Sequence, residues 1–61
     1  MLTIYALANN RSRLCHHTAQ VDDIEAARLL AGLYRQRGYV VRICREGATG
    51  SDEVLDELHP A

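Results

Sequence analysis

The apolar positions change rhythm along the chain, and each rhythm predicts an element. Residues Leu2 to Ala8, LTIYALA, form a continuous apolar, β-compatible run. Asn9 and Asn10 follow, and asparagine tolerates the positive φ of a tight hairpin. Arg13 to Gln20 then reads as a short polar strand, charged at its start and suited to a sheet edge.

The next rhythm is helical. Asp22 and Asp23 supply an N-cap and acids for the first turn, where a carboxylate accepts backbone N–H groups and complements the helix dipole. The pattern DIEAARLLAGLYRQR predicts a helix over about 23–37, with Arg35 and Arg37 in the last turn and Gly38 as the stop. Tyr39 to Glu46, YVVRICRE, is rich in β-branched residues and predicts a strand. GATGS (47–51) reads as a Gly linker. Ser51 then caps a short acidic helix over about 52–58, with Val54, Leu55 and Leu58 on its apolar side and Pro60 beyond its end.

These elements make an α+β domain. Residues 1–46 form a compact ββαβ unit with one main helix on one face of a three-stranded sheet, and residues 47–61 add the linker and short helix to the same single domain. The most apolar strand belongs in the centre, which favours an antiparallel sheet of order 2-1-3. The alternative is 1-2-3 with the last two strands parallel. In the first order Cys15 and Cys44 flank the central strand, roughly 10 Å apart at closest approach and too far for a disulfide. In the second they are neighbours.

At about 100° per residue, Ile24, Ala27, Leu30, Ala31 and Tyr34 line one side of the helix. That stripe packs on Leu2, Ile4, Ala6, Val41 and Ile43. Ala26, Leu29 and Leu33 extend the apolar arc to about twice the width an amphipathic helix needs. Alternation puts Tyr5, Leu7, Val40 and Cys44 on the sheet face away from the helix. Both layers thus carry apolar surplus. Its expected use is a protein–protein contact, a homodimer first, through Leu29, Leu33, Ala26, Tyr5, Leu7 and Val40. The short C-terminal helix is the other candidate cover for the sheet.

Length sharpens this expectation. A chain of 61 residues buries only about 60% of the surface its unfolded form exposes, so partners are often recruited. The net charge of −1 gives no general attraction to nucleic acid. The distribution is uneven: all 7 basic residues are arginines at or before Arg45, and Glu46, Asp52, Glu53, Asp56 and Glu57 follow, making a mildly basic body with an acidic tail. The absence of lysine fits a GC-rich genome as well as selection for bidentate contacts. Two cysteines, no run near the roughly 18 apolar residues that span a bilayer, and an N-terminus without a basic region or cleavage site predict a cytoplasmic chain with reduced thiols and no membrane contact.

Candidate chemistry is sparse. In LCHHTAQ (14–20), strand alternation would point Cys15 and His17 the same way, as two zinc ligands with Cys44 and His59 to complete them. The spacing fits no familiar zinc pattern, and solvent-facing histidines beside a half-buried cysteine are the expected reading. A Cys15–His17 nucleophile and base would need a third group to orient the imidazole and a pocket of several hundred Å³, for which so short a chain has little room. GATGS resembles a phosphate loop, but Asp52 and Glu53 would repel a phosphate there and no Walker lysine follows. No catalytic residue, metal, cofactor or small-molecule substrate is therefore expected. The alternative function is a small regulator contacting nucleic acid through Arg13, Arg42 and Arg45, with Tyr5 available to stack on a base.

The stretch VDDIEAARLLAGLYRQRGYVVRI is similar to the helix–Gly–strand half of a peptidoglycan-binding SPOR repeat. It covers under half of the chain, and the second half of such a repeat has no counterpart here, so its function is not carried over. The whole chain, short, lysine-free and without a catalytic motif, also resembles small phage or prophage accessory proteins in composition.

Overall fold

A computed structural model describes residues 1–47 and 52–60. The chain runs β1 (Leu2–Leu7), β2 (Cys15–Val21), α1 (Ile24–Gln36), β3 (Val40–Glu46) and β4 (Asp52–Leu58). The strands form one sheet of order β2-β1-β3-β4, antiparallel throughout. The apolar β1 sits between β2 and β3, as its composition predicts. The expected sheet thus gains a fourth strand, and the 2-1-3 core order holds.

β4 corrects the expectation of a helix over 52–58. A seven-residue helix is far below the roughly 12–15 residues at which isolated helices become even marginal. The free edge of β3 offers this segment a full backbone ladder instead. The apolar spacing of Val54, Leu55 and Leu58, which reads as helical, arises from a bulge. Ile43 faces Asp56 while Cys44 faces Val54, leaving Leu55 as the extra residue. The bulge also matches charges. Arg42 and Arg45 lie on opposite faces of β3, and Glu57 and Glu53 come onto those same faces only because one residue is inserted between them. Residues 48–51, most of the expected linker and the Ser51 cap, lie outside the described residues.

Two irregularities shape the β1–β2 connection. The positive φ there falls on Arg13 (49°), not on an asparagine. Asn10 instead closes the turn, its Oδ1 accepting from the Ser12 N–H at 3.0 Å and from the Ser12 hydroxyl at 2.6 Å. Ala6 then faces His17 while Leu7 faces Cys15, so His16 is bulged out of register.

α1 begins after Asp23, whose extended backbone makes it the N-cap but whose carboxylate caps no backbone N–H. Its end is a Schellman turn. Gly38, at φ +94°, donates its N–H to the Arg35 carbonyl at 3.0 Å, and Tyr39 donates to the Tyr34 carbonyl at 3.2 Å. The core lies between α1 and the sheet. Leu2, Ile4, Val41 and Ile43 meet Ala27 and Ala31, with Val21, Ile24, Leu30, Tyr34, Tyr39 and Leu58 packed around them. The two alanines bring the helix close to the sheet, and the volume beneath is filled by β-branched strand residues.

Candidate interaction surface

The packing of α1 decides what its outer side presents. Ala27 and Ala31 take the buried positions, so Leu29 and Leu33, each two residues from a buried alanine and on the opposite side of the helix, point away from the sheet. Leu29 is 74% exposed and Leu33 is 56% exposed. Ala26 is exposed beside them, and Gly32 and Gln36 complete the i, i+3, i+4, i+7 pattern of one helix face with Leu29 and Leu33. Glu25 continues that face toward the N-terminus.

The far face of the sheet differs from expectation. Cross-strand pairing places Tyr5 opposite Arg42 and Leu7 opposite Val40, on the side away from α1 as alternation predicts. Yet Leu7 is only 7% exposed and Val40 only 1%, so both are already buried within the chain. Tyr5 remains half-buried. Leu7 and Val40 therefore drop out of the candidate contact surface, which narrows to Leu29, Leu33 and Ala26. The segment expected to cover this face as a helix widens the sheet instead.

The three arginines of the nucleic-acid alternative are not brought together. Arg42 Nε donates to Glu57 Oε2 at 3.0 Å, and Arg45 Nη2 donates to Glu53 Oε2 at 3.1 Å, from opposite faces of β3. Arg13 stands in the β1–β2 turn, at the other end of the sheet from Arg45. The acidic strand thus neutralises the basic one. Glu57 also receives His59 Nε2 at 3.0 Å. The hydrogen bond from Arg42 chiefly holds the Glu57 carboxyl below its ordinary value, outweighing the upward push of desolvation, and the Arg42 and His59 charges add smaller contributions in the same downward direction. The same acids blunt the exposed β4 edge against strand pairing.

The Cys15–His17 pair also dissolves. Because His16 is bulged, Cys15 and His17 lie on opposite faces of β2. Cys15 is exposed, not half-buried, and its Sγ lies 3.3 Å from the His17 carbonyl oxygen and 3.3 Å from Thr18 Oγ1. His17 turns to the helix side. Its ring stacks on Tyr34 (centroids 5.4 Å, 12° between planes) and meets Tyr39 edge-on at 5.3 Å. The Tyr39 hydroxyl lies 3.3 Å from His17 Nε2, and His16 adds a tilted contact to Tyr39 at 5.6 Å. Sequence reasoning missed this cluster. Its signal is the placement of Tyr34 on the core stripe and Tyr39 just past the helix stop, which together wall the start of β2. It anchors the edge strand to the helix and assembles no reactive pair. Among the described residues, no group of three or more His, Cys, Asp or Glu is placed to hold a metal ion.

One groove of about 380 Å³ runs beside the C-terminal half of α1, lined by Gly32, Arg35, Gln36, Gly38 and Pro60. It is larger than so short a chain was expected to form. Arg35 Nε crosses its wall to the His59 carbonyl at 2.6 Å and ties the tail to the helix. Among the described residues, no nucleophile and no acid–base pair lines it. Among the described residues, no helix is long and apolar enough to cross a membrane.

No protein-family model, no curated protein and no solved structure matches the chain.

Proposed function

We propose that this protein is a small non-catalytic interaction module that works by self-association, with the outer face of α1 as its contact surface. The supporting observation is the inversion in α1, where alanines occupy the core and Leu29 and Leu33 stand in solvent. Exposed leucines are ordinary when scattered, but here they adjoin on one face with Ala26, and contiguous apolar surface is the usual mark of a contact.

The magnitudes favour a weak, reversible dimer. Burying the still-exposed parts of two leucines from each of two copies supplies about 4–8 kcal/mol, against an association cost of about 4–15 kcal/mol. A face about 20 Å long and 10 Å wide covers about 200 Å² on each copy, about 400 Å² for the pair, which is small even beside transient contacts. Separated thiols, Cys15 exposed and Cys44 buried, suit a reducing compartment.

The nucleic-acid alternative has less support, since Arg42 and Arg45 are paired within the chain. Light scattering across a concentration series, at low and high salt, tests the reading. The wild type gains mass with concentration, and Leu29→Glu with Leu33→Glu stays monomeric while remaining folded by circular dichroism. A folded double variant with the wild-type mass profile would sink the proposal. Steep, salt-sensitive binding of an oligonucleotide would revive the alternative.

A further inference from the structure

The groove beside the C-terminal half of α1 holds an arrangement that the packing of the chain does not require. Gly32, Arg35, Gln36, Gly38 and Pro60 line it. A glycine inside a helix lowers the helical equilibrium about five-fold relative to alanine. Gly32 does not have the positive φ that would require glycine, and a Cβ added there meets nothing within 4 Å. Neither backbone geometry nor intrachain packing therefore asks for glycine at this position. What the glycine does is keep the groove open, because a larger side chain at 32 would project into it. At about 380 Å³ the groove falls within the size range of small-molecule sites.

Arg35 is the charged side chain of the groove, and it is held in place. Its Nε donates to the His59 carbonyl at 2.6 Å, which fixes the guanidinium plane. A carbonyl takes a hydrogen bond but brings no negative charge, and among the described residues no acid pairs with Arg35. Arg28, four residues before Gly32 on the same side of the helix, pairs with no described acid either. Glu25, the acid on this side, stands seven residues before Gly32, about 10 Å along the helix axis. Glu57, two residues before His59, is already matched by Arg42 and His59. The helix dipole opposes an anion here with only about half a charge. The Schellman turn also occupies the Tyr34 and Arg35 carbonyls with the Tyr39 and Gly38 N–H groups. The groove thus has a fixed, uncompensated positive charge.

We propose that this groove binds a small organic anion, its phosphoryl or carboxylate group on the Arg35 guanidinium and its apolar body along Gly32 and Pro60. The remaining N–H groups of Arg35 form a planar fork that suits two anion oxygens. The Gln36 amide offers a further donor. Because the bond to His59 already orders the guanidinium, little side-chain freedom is lost when a ligand arrives. Arg28 adds attraction from one turn away. The site does not depend on self-association, since neither Leu29 nor Leu33 lines it.

An NMR titration of the isotope-labelled chain with phenyl phosphate, at ionic strength held constant with sodium chloride, tests this. The Gly32, Gln36 and Gly38 amides should shift together and saturate, with a dissociation constant of about a few millimolar for a ligand of this size. Benzoate should move the same amides, and the ratio of the two constants tells a phosphoryl preference from a carboxylate one. Inorganic phosphate, without the apolar body, and benzyl alcohol, without the charge, should each bind about ten-fold more weakly. Gly32→Leu fills the groove and favours the helix, so it should abolish saturation while the melting midpoint holds or rises. Arg35→Gln should weaken binding about ten-fold, though it also removes the tie to His59. Arg28→Gln leaves that tie intact and should weaken binding about two- to three-fold. Saturation that survives Gly32→Leu, or unsaturable shifts spread over the Arg11, Arg13 and Arg37 amides, would overturn the groove as the site. Benzyl alcohol binding as tightly as phenyl phosphate would overturn the anion, and inorganic phosphate doing so would overturn the apolar body. No shift with either organic anion up to about 50 mM would overturn the whole proposal.

Discussion

Gly38→Ala should destabilise the monomer by an amount that the helix stop alone determines. Gly38 sits at φ +94°, and no heavy atom lies within 4 Å of the Cβ an alanine would add. Steric collision with the surroundings is therefore absent, and the cost is conformational. An L-residue in the left-handed region loses about 1–2 kcal/mol. For a domain of this size 1 kcal/mol moves the melting midpoint by about 4–8 °C, so the substitution should lower it by about 4–16 °C. Relaxing φ to avoid the strain would break the Gly38 and Tyr39 hydrogen bonds to the Arg35 and Tyr34 carbonyls, and would displace Tyr39 from His17. Gly38→Asn should lose less, because asparagine visits the left-handed region more readily. Thermal unfolding by circular dichroism at low concentration reads both. An unchanged midpoint for the alanine variant, or an asparagine variant as damaged as the alanine one, would refute the assignment of this turn.

Two further outcomes follow from single contacts. The Glu57 pKa is depressed in the folded state, so its pairing with Arg42 and His59 stabilises the fold above the carboxylate's ordinary value of 4.5, and that contribution is lost as pH falls through the lower folded value. Glu57→Gln should therefore flatten the acid side of the stability–pH curve and leave the stability at low pH nearly unchanged; an equal loss at every pH would contradict it. The thiols should differ in access: Cys15 reacts with a bulky maleimide in the native chain, and buried Cys44 only on unfolding, so equal labelling rates in native buffer would contradict the register of β3.

The sequence made the central elements legible because their patterns are unambiguous. The apolar β1, the period of α1 and the glycine after it each point to one structure, and the structure agrees within a residue or two. It misled where an inserted residue changed the period. Leu55 made β4 look helical, and His16 made Cys15 and His17 look like partners on one face. A bulge is invisible to alternation because it depends on the strand opposite. For β4 the missing clue was cross-strand charge: Glu53 and Glu57 are four apart and Arg42 and Arg45 three apart, and one bulge reconciles them. The candidate surface was half legible. The wide apolar arc of the helix pointed to Leu29 and Leu33, while burial of Leu7 and Val40 on the far side of the sheet depends on the folded shape of the chain and not on residue type.

On the proposed reading the outer face of α1 meets a second copy of itself. Isotope-filtered NMR on a mixture of labelled and unlabelled chains, at a concentration where the dimer dominates, observes that contact directly. Intermolecular signals are expected from the Leu29 and Leu33 methyl groups to each other and to the Ala26 methyl group. Intermolecular signals confined to the β2 or β4 edges, or none at these methyls in a sample of dimer mass, would contradict it.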